Sequence, residues 1–328
     1  MIRRVDKSLL LPHNLLSDLP GCGGCYAKGY SSATQRLEAI MEAIGREIER
    51  TDCCVGFMLV HSVCGGTGSG YGARITEQLK AQYPAMFLVN VAVLPFRTGE
   101  NPIQSYNTVL AFQKFQECSD MVVVVENSLV AQDLASKQKV SMDHVNAKIV
   151  QDLQGVLADF KQIPSRCSMW EILRIVCAIP SIKLCSVGSH AGRNMTENVD
   201  HVSRAVRQRT GFGKFKSISG VILSSDSRLQ LLDKRIEVKL TKSLNFASWN
   251  PFPVEFWCRQ HKYHAVNFAM NNCSLVNPIV KEADNAMLKF NAGAYLHWFT
   301  KFGVEKDDFI LAFESLDKLV EEYRYFCG

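Results

Sequence analysis

The sequence predicts an α/β fold: a mostly parallel sheet covered by helices on both faces, followed by a second mixed unit and closing helices. Three observations lead there. Short apolar runs bounded by turn residues, at 56–60, 87–93 and 121–125, read as buried strands. Stretches of helical spacing alternate with them. Between the first strand and the helix after it lies His61-Ser-Val-Cys-Gly-Gly-Thr-Gly-Ser-Gly70, a turn dense in glycine.

Taken in order, 31–50 places Leu37, Ile40, Met41, Ile44 and Ile48 at helical spacing, with glutamates between them, and predicts one helix. The strand at 56–60, the glycine turn, a helix over 72–80 and the strand at 87–93 follow. An amphipathic helix is expected over 106–118, then the valine strand. Residues 140–160 read as a helix leaving the sheet. Strands at 182–187 and 218–224 belong to the second unit. Residues 283–326 predict amphipathic helices broken at Lys301-Phe302-Gly303. The expected division is 1–139, a connecting core helix 140–160, a mixed α/β unit 161–282 and closing helices 283–328. In 249–257, Pro251 and Pro253 rule out a central strand. The basic interval 198–216 reads as a solvated loop, or as a docking patch for an acidic tail.

Composition narrows the function classes. A chain of 328 residues with 47% hydrophobic and 21% charged residues can bury a large core. Its net charge of +5 is too mild and too dispersed to argue for a nucleic-acid polymer as partner. No apolar run approaches the ~18 residues of a membrane span, and Leu9-Leu10-Leu11 is too short a core for a secretory signal. Twelve cysteines then read as reduced cytoplasmic thiols. Cys22-x-x-Cys25 and His61-x-x-Cys64 have zinc-compatible spacing, but both fall in turns where cysteine simply replaces a small residue.

A glycine-dense turn from strand to helix gathers backbone N–H groups at one point and aims the positive end of a helix there, as a polyphosphate requires. No Gly-Lys-Ser/Thr follows, so it is not a P-loop. Thr67 stands two residues before Ser69, so it is not a hydrolase nucleophile elbow. As a dinucleotide fingerprint it would need an acid after the next strand. The sequence there is Leu94-Pro95-Phe96-Arg97, which leaves room only for a reductase using a 2′-phosphorylated cofactor. A turn that merely packs helix on strand is the remaining alternative.

Gly65-Gly-Thr-Gly-Ser-Gly70 after an apolar strand and a His-Ser pair resembles the signature of the tubulin family. The likeness extends to 21–30 as the loop closing over the terminal phosphate, 95–107 as the ribose-side loop, 121–127 as the strand ending at the guanine, and 295–323 as the closing helices. The closing helices and the surroundings of Glu100 are most similar to the delta branch. The resemblance implies a Rossmann-type GTPase domain that holds GTP or GDP, with Mg²⁺ beside the phosphates. It assigns Gly21, Gly23, Ser62, Gly65, Gly66, Thr67, Gly68 and Ser69 to the phosphates, Glu100 to the ribose, and Asn127, Met142 and Asn146 to the guanine.

Departures from the family pattern are visible. Cys64 replaces the first glycine of a triplet, Gly24 stands where Asn is common, and Met142 takes the place of a stacking aromatic. The family's first strand and first phosphate loop have no counterpart before Gly21, so the expectation is a domain incomplete at its start or weakened nucleotide binding. By the same resemblance Glu171 is the carboxylate that acts on a neighbouring subunit's nucleotide, giving a GTPase completed by association; it also suits a plain helix start. The partners implied are other tubulins or centriolar proteins, in the cytoplasm and cytoskeleton at centrioles or basal bodies, with no membrane. The alternative is a tubulin-derived interaction module that no longer handles nucleotide.

Overall fold

A computed structural model describes residues 14–16, 21–96, 101–135, 140–157, 169–192, 194–209, 211, 214–226, 238, 241–242, 244–260 and 265–327. Strands β1 (Gly56–Ser62), β2 (Phe87–Leu94) and β3 (Met121–Glu126) run parallel. Strand β4 (Leu184–Ala191) joins β3 through only two pairs, Val122 with Leu184 and Val123 with Cys185. Beyond it lie β7 (Ala265–Asn272), β5 (Ser217–Asp226) and β6 (Val254–Gln260), so the sheet order is β1-β2-β3-β4-β7-β5-β6. The fold class is as predicted, with a parallel half and a mixed half sharing one sheet.

Alternation along the central strands separates two cores. Ala92, Leu94, Val122 and Val124 face one layer. It contains α4 (Gln104–Cys118), α9 (Asn277–Asn291), α10 (Leu296–Thr300) and α11 (Lys306–Cys327). Val89, Val91, Val123 and Val125 face the other, packed on α6 (Met142–Leu157) and α7 (Met169–Val176). Such two-sided burial is why these strands read as continuous apolar runs rather than alternating ones. β1 is the outermost strand, and its Met58 and Val60 remain exposed.

Three polar devices tie the layers together. Tyr323 Oη accepts from Leu184 N and donates to Asn271 Oδ1, both at 2.9 Å, which anchors α11 to β4 and β7. Lys148 of α6 pairs with Asp152 and donates to Ser189 O at 2.7 Å. Ser189 N and Oγ both donate to Asp152 Oδ1 at 2.7 Å, so α6 is held to β4.

Several expectations are corrected. The helix over 31–50 is two helices, α1 (Tyr26–Gln35) and α2 (Leu37–Glu49), because Arg36 leaves helical geometry at φ −114° and ψ 9°. Helix α4 is not amphipathic in place: residues 104–113 and Phe115 are buried, because the sheet covers one side and the C-terminal helices the other. The basic interval is mostly not a loop. Its larger part is α8 (Met195–Arg209), held by Val199, Val202 and Val206 against β7. The all-thiol reading fails at one pair, since Cys273 and Cys327 are joined as a disulfide with Cα atoms 6.3 Å apart. The break at 301–303 is present, with Gly303 at φ +83°. Pro251 and Pro253 precede β6, an edge strand, where proline costs no ladder bond. Among the described residues no helix is long and apolar enough to cross a membrane.

Under β1 lies a closed polar cluster. His61 Nε2 meets Asn90 Oδ1 at 2.8 Å, and Asn90 Nδ2 donates to Ser119 Oγ at 2.7 Å and to Thr76 Oγ1 at 3.2 Å. His61 Nδ1 is buried without a partner. Burial lowers the His61 pKa, opposed in part by the Asn90 hydrogen bond. The unfolded chain therefore takes up a proton near the ordinary histidine pKa of ~6.5 that the folded chain refuses, and stability falls as pH drops below that value. Urea midpoints should fall between about pH 7.5 and about pH 5.5, and the His61→Gln variant should show a shallower fall.

Candidate functional site

Two glycine-bearing turns meet beyond the carboxyl end of β1. In the first, Cys25 N donates to Cys22 O at 3.1 Å, with Gly23 and Gly24 at φ +57° and +69°. That left-handed backbone strains any L side chain, so the two glycines suit the turn that delivers the chain into α1. The second turn follows Ser62 and is shorter than the sequence suggested. The chain is helical from Gly66, wound as a π turn over Thr67–Tyr71, and continues into α3 (Gly72–Gln82). A helix beginning there leaves the N–H groups of its first turn without intrahelical partners, at the positive end of the dipole.

The glycines divide by what surrounds them. A Cβ on Gly66 would collide with Cys25 O, on Gly70 with Tyr26 O and on Gly29 with Gly66 O, so α1 and the glycine helix pack backbone to backbone. Gly68 presses on Ser62 O in the same way. Packing therefore accounts for those positions. It does not account for Gly65, Gly21 or Gly23, where a Cβ would meet nothing within 4 Å. These three form the open side.

One buried side chain joins the two turns. Asn107 in the first turn of α4 donates from Nδ2 to Gly24 O at 2.6 Å and to Cys64 O at 2.7 Å, while its Oδ1 accepts from Tyr26 N at 2.8 Å. Asn101 Nδ2 adds a bond to Gly24 O at 2.8 Å. Lys28 Nζ donates to Gly21 O at 2.9 Å and brings a cation to the rim. Sequence reading placed Asn107 in the ribose-side segment and missed this role, and it passed over Asn101 and Lys28. The available signal was an Asn in the opening turn of a helix whose first half carries Gln104, Ser105, Asn107 and Thr108 beside apolar residues.

The other candidates fall in distinct places. Ser62 and Thr67 are exposed, whereas Ser69 is buried and its hydroxyl donates to Gly65 O at 2.6 Å. Glu100 lies outside the described residues. Asn127 opens α5 (Asn127–Ala135) directly after β3, at the same end of the parallel sheet as the glycine turns. Its side chain is buried, and Oδ1 has no partner. Met142 and Asn146 lie one turn apart on α6, both exposed.

Glu171 lies at the opposite end. Its neighbour Trp170 stacks on Phe87 with ring centroids 5.5 Å apart, and Phe87 pairs with Gly56 at the start of β1. At ~3.3 Å per residue, the length of β1, roughly 20 Å, separates that edge from the glycine turns. Among the described residues no group of three or more His, Cys, Asp or Glu could hold a metal ion. A divalent cation here would rely on phosphate oxygens and water. The arrangement presents backbone N–H groups suited to an anion, with the enclosed Asn127 Oδ1 at the same end of the sheet.

Comparison with known proteins identifies what the chain is similar to. Residues 1–134 match the Tubulin/FtsZ family, GTPase domain. The chain is similar to the tubulin delta chain of Homo sapiens, 26% identical, covering 95% of this chain and 80% of that protein. It is 25% identical to the tubulin delta chain of Mus musculus, covering 95% and 79%. It is 27% identical to the tubulin gamma chain of Saccharomyces cerevisiae, covering 94% and 72%.

Replacing Asn107 by Ala strands Tyr26 N, Cys64 O and one bond to Gly24 O in a buried place. The expected loss is about 3 kcal/mol of stability, from ~1–3 kcal/mol per unsatisfied group. Urea denaturation measures it; a loss below ~0.5 kcal/mol, the size of an ordinary surface change, would contradict the clamp.

Proposed function

We propose that this chain, which belongs to the tubulin family through its GTPase domain, is a guanine-nucleotide-binding cytoskeletal subunit acting in centriole or basal-body microtubules. The observation that carries this reading is the buried, unpartnered Oδ1 of Asn127, at the same sheet end as the open glycines Gly65, Gly21 and Gly23. An acceptor left unmade in a buried place costs free energy. The N1–H and exocyclic amine of guanine are two adjacent donors of the right kind to relieve it; adenine offers its exocyclic amine but no ring N–H. The phosphates would lie on the N–H groups of 65–68, with the hydroxyls of Ser62 and Thr67 at the rim and Mg²⁺ on the phosphate oxygens. Met142 and Asn146 would meet the base from α6. Similarity to tubulin delta chains supports the branch of the family; the centriolar and cytoplasmic assignment, with other tubulins or centriolar proteins as partners, is what membership of that branch would imply.

Glu171 fits a reaction completed by association. It sits about one strand length from its own glycine turns, at the face a following subunit would present in a head-to-tail contact, which is heterologous and open-ended. A carboxylate delivered there can orient or deprotonate the attacking water on the neighbour's nucleotide. Glu171→Gln should leave GTP binding by the isolated chain unchanged and slow phosphate release in the assembled state by at least tenfold. Equal release rates would remove Glu171 from the mechanism.

A second reading is an interaction module that no longer binds nucleotide. It is favoured by the packing need for Gly66, Gly68 and Gly70 and by the Ser69 hydroxyl already committed to Gly65 O. Calorimetry with GTP, GDP, ATP and NADPH separates the readings. The expected result is heat with GTP and GDP only, weakened about tenfold or more by Asn127→Ala, equivalent to ~1.4 kcal/mol. No heat with guanine nucleotides would leave the interaction module, and heat with NADPH would leave the reductase.

A further inference from the structure

The cysteine pair in the first glycine turn has a chemistry of its own. We propose that Cys22 and Cys25 form a reversible dithiol that closes to a disulfide across the turn and locks that wall of the site. The locking half rests on the nucleotide reading above; the crosslink itself does not.

The turn brings the two backbones within reach of a disulfide, and closure needs side-chain rotation: Cys22 packs on Ala33, Ile40 and Tyr71, while the Cys25 Sγ donates to Trp298 O at 3.8 Å. The Cys25 N to Cys22 O bond of 3.1 Å defines a tight turn, whose end Cα atoms lie within about 7 Å. The disulfide window is about 4.4–6.8 Å. Both thiols are free and buried, at 4% and 5% exposure, but the chain neighbours of Cys22, Gly21 and Gly23, are exposed. Only side-chain-free backbone flanks Cys22, which leaves an approach for a molecule as small as hydrogen peroxide. Cys25 is the N-cap residue of α1; its side chain makes no capping hydrogen bond, its Sγ donating instead to Trp298 O, and the backbone N–H groups of Lys28 and Ala27 lie nearby. They favour the thiolate, against the larger upward effect of burial. Among the described residues no third ligand completes a metal cluster with this pair.

The step balances with a peroxide as oxidant. The Cys22 sulfur attacks one peroxide oxygen, the O–O bond breaks, and the thiol proton leaves with the departing hydroxide as water. The resulting sulfenic sulfur is attacked by Cys25, the S–O bond breaks, and the Cys25 proton leaves in a second water. Two thiols are oxidised and one peroxide is reduced, with one S–S bond made. The closed ring restrains Gly23-Gly24, the two most freely rotating residues of the turn, while Asn101 and Asn107 hold Gly24 O from the other side. A loop held in one conformation before binding loses less freedom when ligand arrives.

The test treats the full chain with hydrogen peroxide, maps crosslinks by peptide mass spectrometry, and measures release of a fluorescent GDP before and after reduction. The expected result is a peptide joining Cys22 to Cys25 with the mass of two hydrogens lost, reversed by dithiothreitol. GDP release from oxidised protein should be about tenfold slower than from reduced protein, with no such change in Cys22→Ser. Sulfinic or sulfonic acid without the crosslink, pairing of Cys22 elsewhere, or equal release rates would overturn the proposal. Reduced protein that binds no GDP would sink the nucleotide reading and the locking with it, while the mass map still decides the dithiol. Because oxidised and reduced wild type are compared directly, the test stands even if a serine variant folds poorly.

Discussion

Everything in the candidate site depends on the carboxamide of Asn107. Its three hydrogen bonds, to Gly24 O, Cys64 O and Tyr26 N, bring together two turns that each lie 43 residues or more before it in the chain. Neither turn has a side chain that could do this, because glycines occupy the surface where they touch. The constraint is steric first: Gly29, Gly66 and Gly70 let two helix backbones approach until no Cβ fits between them. Close backbones leave unpaired carbonyls, and a buried amide is the group able to satisfy two of them and one N–H at once. Packing thus creates the demand that Asn107 meets.

The same turn of α4 reaches the C-terminal helices. Ser105 Oγ donates to Glu282 on α9 at 2.8 Å, and Tyr106 Oη donates to Ala294 O at 3.0 Å while its ring sits edge-on to Phe299 and Phe309. Three consecutive residues therefore connect the glycine turns, α9 and the α10–α11 corner. A helix buried on every side can do this only if its polar groups are all spoken for, which accounts for the many polar residues on α4 that remain inside.

Much of this fold was legible in the sequence. The central strands could be read because burial on both faces demands uninterrupted Val, Leu and Ala, and few other structures ask for that. The break at Gly303 was legible because a left-handed residue there calls for glycine. Other elements resisted for physical reasons. Arg36 interrupts 31–50 without any proline or glycine to announce it. The valines of α8 looked sparse among arginines until β7 supplied the face they cover. The Cys273–Cys327 pair joins residues 54 apart, a proximity no local pattern encodes.

The candidate site divides along the same line. Sequence alone determined that a glycine-rich strand-to-helix turn exists, that its chemistry suits an anion, and which family it resembles, because those depend on residue type and short spacing. Tertiary structure decided which glycines serve packing and which face open space, that Asn107 holds the turns, that Asn127 keeps an unmade hydrogen bond, and that Glu171 lies at the far edge of the sheet. Those are statements about neighbours distant in the chain, and only the folded backbone brings such neighbours within the few ångströms where steric exclusion and hydrogen bonding act.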